Sequence, residues 1–426
     1  MRGLRRAFPR RRPPRGAARV SRHGAGRAGC GRRRVVAGRS RLPVGSVDRP
    51  HLHGHRRTGP GAGNAGDGGA ARADPRLPRT AGAAAGRALR AGTRRGDRAR
   101  GGGILPAVTK SIYIFSPSSA VRNKAALRRS VARLKAMGHD VELDTAALAS
   151  HMRFAGDDET RLAAIGRAAA SGADVAMISR GGYGLSRLLP RLPYDALAKA
   201  SEHGTRFVGY SDFTALQNAV LAETGKVTWA GPAAGEDFGV DGEPDDIMQA
   251  CFEDLLEGQG EGTGWQLPRA EALEQPLEAR GILWGGNLAM VASLAGTPWL
   301  PKAKGILFLE DVSEHPYRIE RMLTQLLYAG VLAKQKAIVL GQFTNYVSVP
   351  HDKGYKLKTV VDWLRQQVDV PVLTGLPFGH VPTKVCLPVG AKVTLAAEGR
   401  DAFLLWGHIG TGHSHDSHDG HDHAHH

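Results

Sequence analysis

Arg206-Phe-Val-Gly-Tyr-Ser-Asp-Phe-Thr-Ala-Leu216 is the stretch on which the reading of this 426-residue chain turns. Its opening, Arg206–Tyr210, has the apolar character of a buried strand, and Phe213–Leu221 has the apolar spacing of a helix. Between them lies Gly209-Tyr210-Ser211-Asp212. A strand that turns directly into a helix leaves the turn residue at the carboxyl end of a sheet. The free N–H groups of the helix then point at the same spot. Ser211 is therefore a candidate nucleophile with anion-stabilising donors beside it. Ser-Asp ahead of a helix also has the look of an ordinary N-cap. The motif is not G-x-S-x-G, because Phe213 stands in place of the second glycine.

Outward from this turn, strands and helices alternate. Ile112–Phe115, Val141–Leu143 and Asp174–Ser179 read as strands. Asn123–Met137 and a stretch from Asp157 or Asp158 to Ala170 read as helices, stopped by Gly138 and Gly172. Further on, Gly305–Leu309, Ala337–Gly341, Lys392–Ala396 and Ala402–Trp406 are strand-like, while Ile319–Ala329 and Val360–Val368 are helical. This pattern predicts an α/β protein. Its N-terminal domain has a mostly parallel sheet flanked by helices, and its C-terminal domain is smaller and mixed α/β. Residues 257–278, rich in Gly and acidic residues, read as a connection. The predicted boundaries are 109–262 for the first domain, 263–274 for a linker and 275–408 for the second domain.

Three other stretches carry candidate chemistry. Ser179-Arg-Gly-Gly-Tyr-Gly184 follows a strand and could bring free backbone N–H groups close to a ligand, as an oxyanion loop or as a plain turn. Leu307-Phe-Leu-Glu-Asp311 ends an apolar strand in two carboxylates, one of which could orient an imidazole or simply face solvent. Gly375-Leu-Pro-Phe-Gly-His380 sets a histidine in a Gly/Pro-bounded loop, where it could serve as a base.

These stretches, with Ile114-Phe-Ser-Pro-Ser118, Leu283-Trp-Gly-Gly-Asn-Leu288 and Pro316-Tyr-Arg-Ile319, resemble in content and order the LD-carboxypeptidase family of serine peptidases. That family also includes microcin-immunity peptidases. The resemblance covers some three hundred residues of this chain from Thr109 onward. It implies Ser211 as nucleophile, His380 as base and Glu310 as the carboxylate that orients it. Asp311 and Glu314 are the competing acids. Backbone N–H groups of Asp212 and Gly182 are implied as the oxyanion hole. The implied reaction is hydrolysis of the bond between meso-diaminopimelate and terminal D-Ala in a murein tetrapeptide, during peptidoglycan recycling. No cofactor and no catalytic metal are implied, and the setting is a cytoplasmic homodimer. For the immunity branch, which cleaves a peptide–nucleotide antibiotic, Trp284 is the candidate aromatic for stacking a base.

Composition bears on a different class of function. The formal charge of +18 suggests a nucleic-acid binder, but it is localised. Residues 1–107 hold 27 Arg, 4 Asp and neither Lys nor Glu, and the remaining 319 residues carry a net −5. Residues 1–108 are too poor in large apolar side chains to offset the entropy of ordering, so disorder is predicted there. Arg, Gly, Ala and Pro without Lys or Glu is also what GC-rich DNA yields when translated upstream of a true start, and Val108 is the preferred start. An RNA-binding role through this head is the alternative. The tail, 409–426, carries seven His and three Asp after Gly412 and would bind Ni²⁺ or Zn²⁺ adventitiously or as a store. The three isolated cysteines form no CxxC pair, and no run of apolar residues is long enough to span a membrane. The partner that the resemblance implies is a murein peptide, and neither nucleic acid nor membrane is expected as a partner. A chain lacking residues 1–107, and so beginning at Val108, is expected to keep the fold and activity of the full chain. Insoluble or inactive truncated protein would show that the head is needed.

Overall fold

The computed structural model describes residues 109–409, and the expectations for 1–108 and for the tail from 410 onward lie outside them. The described residues fall within one compact unit. They form an α/β fold with two sheets. The first contains β1 (Ser111–Phe115), β2 (Asp140–Leu143), β3 (Val175–Ile178), β4 (Arg206–Gly209) and β5 (Thr228–Ala230), in spatial order β5-β4-β3-β1-β2. Every pairing among them is parallel. The helices of this part are α1 (Lys124–Ala136), α2 (Asp158–Ala170), α3 (Tyr194–Glu202), α4 (Thr214–Thr224) and α5 (Asp246–Glu257). Covered on both faces, β3 is buried along its whole length, which is why its sequence is continuously apolar rather than alternating. Asn123 Oδ1 accepts from the Ala126 N–H at 2.9 Å and Asp157 Oδ1 from that of Thr160 at 2.8 Å, capping α1 and α2.

The second sheet contains β6 (Gly262–Gln266), β7 (Leu273–Asn287), β8 (Ile306–Val312), β9 (Ala337–Thr344) and β10 (Val372–Leu373). After β11 (Leu387–Val389), described below, it is completed by β12 (Lys392–Gly399) and β13 (Asp401–Leu405). Its order is β10-β9-β8-β7-β12-β13-β6. Helices α6 (Leu288–Ser293), α7 (Pro316–Tyr328) and α8 (Leu357–Gln367) belong to this part. Residues 263–274, expected as a linker, instead supply β6 and the start of β7. The first part of β7 is a half-exposed antiparallel partner of β12. Its last five residues are buried and pair in parallel with β8. Gly and charged residues there reflect a sheet edge facing water, not a connection.

β11 departs from the expected division in another way. It pairs antiparallel with β5, Leu387 opposite Ala230, and so extends the first sheet. The chain between β10 and β11 therefore crosses from one sheet to the other, and His380 lies on that crossing. The Gln342 N–H donates to the Phe378 carbonyl at 2.8 Å, fixing the start of the crossing to β9. Thr383 Oγ1 donates to Asp245 Oδ2 at 2.5 Å, and the buried Lys384 ammonium pairs with the buried Asp237 carboxylate, fixing its end. One apolar cluster, running from Phe115 and Phe213 through Leu283 to Phe308 and Val339, unites the two sheets. Burial pushes the Asp237 pKa up against the opposing pull of Lys384, so this pair is held at a cost in desolvation. Lys384→Met is expected to destabilise the protein by about 3–5 kcal/mol, because it strands a buried carboxylate. Urea unfolding measures this, and the Lys384→Met/Asp237→Leu double variant is expected to recover much of the loss.

Candidate active site

Ser211 sits at the carboxyl end of β4 with φ +64°, in the left-handed region that side chains other than Gly, Asn and Asp rarely enter. Such a backbone costs on the order of 1–3 kcal/mol and persists only where its surroundings over-determine it. Here they do. The Phe213 N–H donates to the Tyr210 carbonyl at 3.2 Å, closing a 3-10 turn at Ser211–Phe213 that leads directly into α4. Asp212 is buried and accepts the Leu185 N–H at 2.9 Å. Thr214 Oγ1 accepts the Asn287 N–H at 3.0 Å, and Asn218 Nδ2 donates to the Gly285 carbonyl at 2.9 Å, tying α4 to the end of β7. The side chain at 211 is half-buried and is not used as a cap: no side-chain hydrogen bond caps this turn or α4.

The glycine loop lies against it. A Cβ on Gly181 would stand 2.7 Å from Ser211 Cβ and 2.9 Å from its Oγ, so only glycine allows this approach. Gly182 has φ +108°, and a Cβ there would collide with Ser119 Oγ, which already accepts the Tyr183 N–H at 3.0 Å. The Gly182 N–H has no acceptor among the described residues. The Asp212 N–H lies in a first helical turn, where there is no intrahelical acceptor.

Glu310 and His380 meet. Fully buried on β8, Glu310 presents Oε2 to His380 Nδ1 at 2.7 Å. A carboxylate only accepts, so Nδ1 carries the proton and Nε2 is left with a lone pair. Asn287 Nδ2 donates to Glu310 Oε1 at 3.3 Å and to Asp311 Oδ1 at 2.9 Å. Asp311 Oδ2 accepts the Ala289 N–H at 2.9 Å, at the start of α6. Of the competing acids, Asp311 is thus turned to Asn287 and α6, and Glu314 pairs with Arg318. The Tyr210 ring leans on the imidazole with 4.9 Å between centroids, and Lys384 Nζ lies 4.5 Å from the centre of that ring. No hydrogen bond joins Ser211 to His380 among the described residues. Catalytic hydrogen bonds often tighten only around substrate.

Burial works to lower the His380 pKa. The hydrogen bond and charge of Glu310, helped by Glu236 and Asp311, outweigh it and hold the pKa above its ordinary 6.5. Asp311 is pushed up to about 6, by burial first and then by the adjacent Glu310 charge. Trp284, the candidate for base stacking, is fully buried, and its Nε1 donates to Gln335 Oε1 at 2.9 Å, so it is core and not site. Asn287 and Tyr210 were not singled out by the sequence reading, although both lie inside the stretches that carry the resemblance. Among the described residues, no group of three or more His, Cys, Asp or Glu side chains could hold a metal ion. No helix there is long and apolar enough to cross a membrane.

A two-sheet α/β fold with a left-handed serine turn, a close glycine loop and a buried carboxylate on a histidine defines a hydrolase-like site. Residues 112–231 match the model of the LD-carboxypeptidase N-terminal domain, and residues 280–395 that of the LD-carboxypeptidase C-terminal domain. The chain is 31% identical over 297 residues to a probable murein peptide carboxypeptidase of Bacillus subtilis, covering 69% of this chain and 91% of that protein. It is 38% identical to the solved muramoyltetrapeptide carboxypeptidase from Oxalobacter formigenes, with TM-score 0.63 over 69% of this chain and 97% of the other. A microcin C7 self-immunity protein of Escherichia coli is 28% identical over 262 residues, covering 55% of this chain and 74% of that protein. This chain belongs to the LD-carboxypeptidase family.

A histidine base with a raised pKa becomes active later as pH rises. The acid limb of kcat/KM is therefore expected above pH 6.5. Glu310→Gln removes the charge that raises this pKa and leaves the burial that lowers it. The variant's acid limb is expected to move to lower pH, with kcat down roughly 10⁴-fold. An unmoved limb would mean that His380 is not the titrating base.

Proposed function

We propose that this protein is a serine LD-carboxypeptidase that releases terminal D-Ala from murein tetrapeptide by cleaving its bond to meso-diaminopimelate. The observation that carries the reading is the Glu310–His380 hydrogen bond at 2.7 Å, built beside a serine on a strained strand-to-helix turn. A serine hydroxyl is a weak nucleophile until an adjacent base takes its proton. In this reading His380 Nε2 takes the Ser211 Oγ proton as Oγ attacks the scissile carbonyl. The resulting oxyanion is met by the N–H groups of Asp212 and Gly182, each worth about 10²–10³-fold in rate. His380 then protonates the departing D-Ala nitrogen, and water repeats the sequence on the acyl-enzyme. Glu310 holds the imidazole tautomer and stabilises its cation. The resemblance further points to peptidoglycan recycling in the cytoplasm by a homodimer. The immunity-type reading loses its stacking residue, because Trp284 is interior.

Incubation with murein tetrapeptide is expected to release free D-Ala, undiminished by EDTA. Ser211→Ala and His380→Ala are each expected to lower kcat on the order of 10⁶-fold, and the double variant no further. Glu310→Ala is expected to cost about 10⁴-fold. Substantial activity in Ser211→Ala would end the serine-peptidase reading. Folded Asp311→Ala or Glu314→Ala protein slower than Glu310→Ala would mean that the orienting acid is another carboxylate.

A further inference from the structure

Arg180 is the charged residue of the Ser179–Gly184 loop, and its commitments are weak. Its Nε donates to Glu236 Oε1 at 3.3 Å and its Nη1 to the Ala120 carbonyl at 3.4 Å. Charge-assisted hydrogen bonds normally run to about 2.7–2.9 Å. A guanidinium has five donors, and among the described residues the rest of these find no acceptor. The side chain is only 14% exposed, and no Arg180 nitrogen is among the buried ones without a partner, so its free edge is the part that opens to solvent. An enclosed guanidinium with a free edge suits a planar anion.

Its place fixes which anion. Nη1 stands 3.1 Å from where a Gly182 Cβ would be, so the guanidinium lies against the backbone of the loop that touches Ser211. Glu236, its partner, reaches the Tyr210 hydroxyl at 3.4 Å through its other oxygen, and the Tyr210 ring leans on His380. Glu236 is also near enough to His380 for its charge to help raise the imidazole pKa. The Arg180–Glu236 pair thus borders the glycine loop directly and the imidazole through Tyr210. In a peptide cut before its last residue, the terminal carboxylate oxygens lie within about 5 Å of the scissile carbon.

We propose that Arg180 binds the free carboxylate of the substrate's terminal residue and thereby confines cleavage to the end of a chain. This rests on the peptidase reading above. Glu236 occupies the Nε side, so the carboxylate meets the Nη edge. The released amino acid, a carboxylate with an ammonium, is complementary to Arg180 and Glu236 together. An amide in place of the carboxylate brings no charge and leaves the guanidinium uncompensated.

The test compares murein tetrapeptide with the same peptide amidated at its C-terminus. Wild-type kcat/KM is expected to favour the acid by at least about 100-fold. Arg180→Gln is expected to remove most of that preference by slowing the acid while changing the amide only a few-fold, and Arg180→Lys to restore part of it. A merely structural Arg180 would slow both peptides alike, and that result, or a wild type indifferent to amidation, overturns the proposal. If the wild type hydrolyses neither peptide, the peptidase reading fails. The carboxylate site is then decided by calorimetric titration of Ser211→Ala protein with both peptides, with and without Arg180→Gln. Weaker binding of the acid alone upholds it, and equal binding or none overturns it.

Discussion

A fully buried carboxylate has to be surrounded by donors, and much of the site follows from how Glu310 meets that requirement. Leaving it unpaired in the interior would cost several kcal/mol. Two donors reach it, His380 Nδ1 on one oxygen and Asn287 Nδ2 on the other. The first sets the orientation and tautomer of the imidazole. The second joins the acid to the turn that carries Ser211, because the backbone N–H of the same Asn287 is bound to Thr214 Oγ1, three residues after Ser211. Its side-chain oxygen also accepts the Met290 N–H and caps α6. One asparagine therefore links the carboxylate, the histidine it orients and the start of the helix behind the serine.

That linkage was only partly legible in the sequence. Strands and helices near Ser211 were, because each carries a local signal: β3 and β4 as short apolar runs, α1 and α2 as helical spacing ended by caps and glycines. The stretch around residues 263–274 was not. An antiparallel ribbon at a sheet edge needs little apolar surface, so its Gly and acidic residues mimic a connection. Nor does any local pattern tell that β11 leaves its neighbours in sequence to join the first sheet. For the site, the sequence offered Ser211, Glu310 and His380 as candidates, and the resemblance selected among them. Glu310 and His380 lie seventy residues apart, and no short-range period connects them. Choosing Glu310 over Asp311 depends on an irregularity in the register of β8 between Leu309 and Asp311, beside which one carboxylate meets His380 and its neighbour the N–H at the start of α6. Trp284 shows the converse hazard. An aromatic beside a Gly-Gly turn looks like a contact residue, but it packs in the interior with its indole N–H satisfied by Gln335.

Two adjacent carboxylates in one buried place raise the question of how both are kept. Like charges in low dielectric repel strongly, and one of the pair is usually driven toward its neutral form. Asp311 takes that part, its carboxyl raised to about 6 by burial first and by the Glu310 charge second, while Glu310 faces the histidine. Asn287 is the donor common to both, and a neutral amide can serve two acceptors without adding charge. A lysine at 287 would bring a positive charge to this place and, by favouring both carboxylates, compete with His380 for the Glu310 charge. The neutral bridge leaves that charge directed at the imidazole, which is where, in the mechanism proposed above, a developing cation has to be stabilised. The hydrogen bond that orients His380 thus depends on an uncharged neighbour as much as on the charged one.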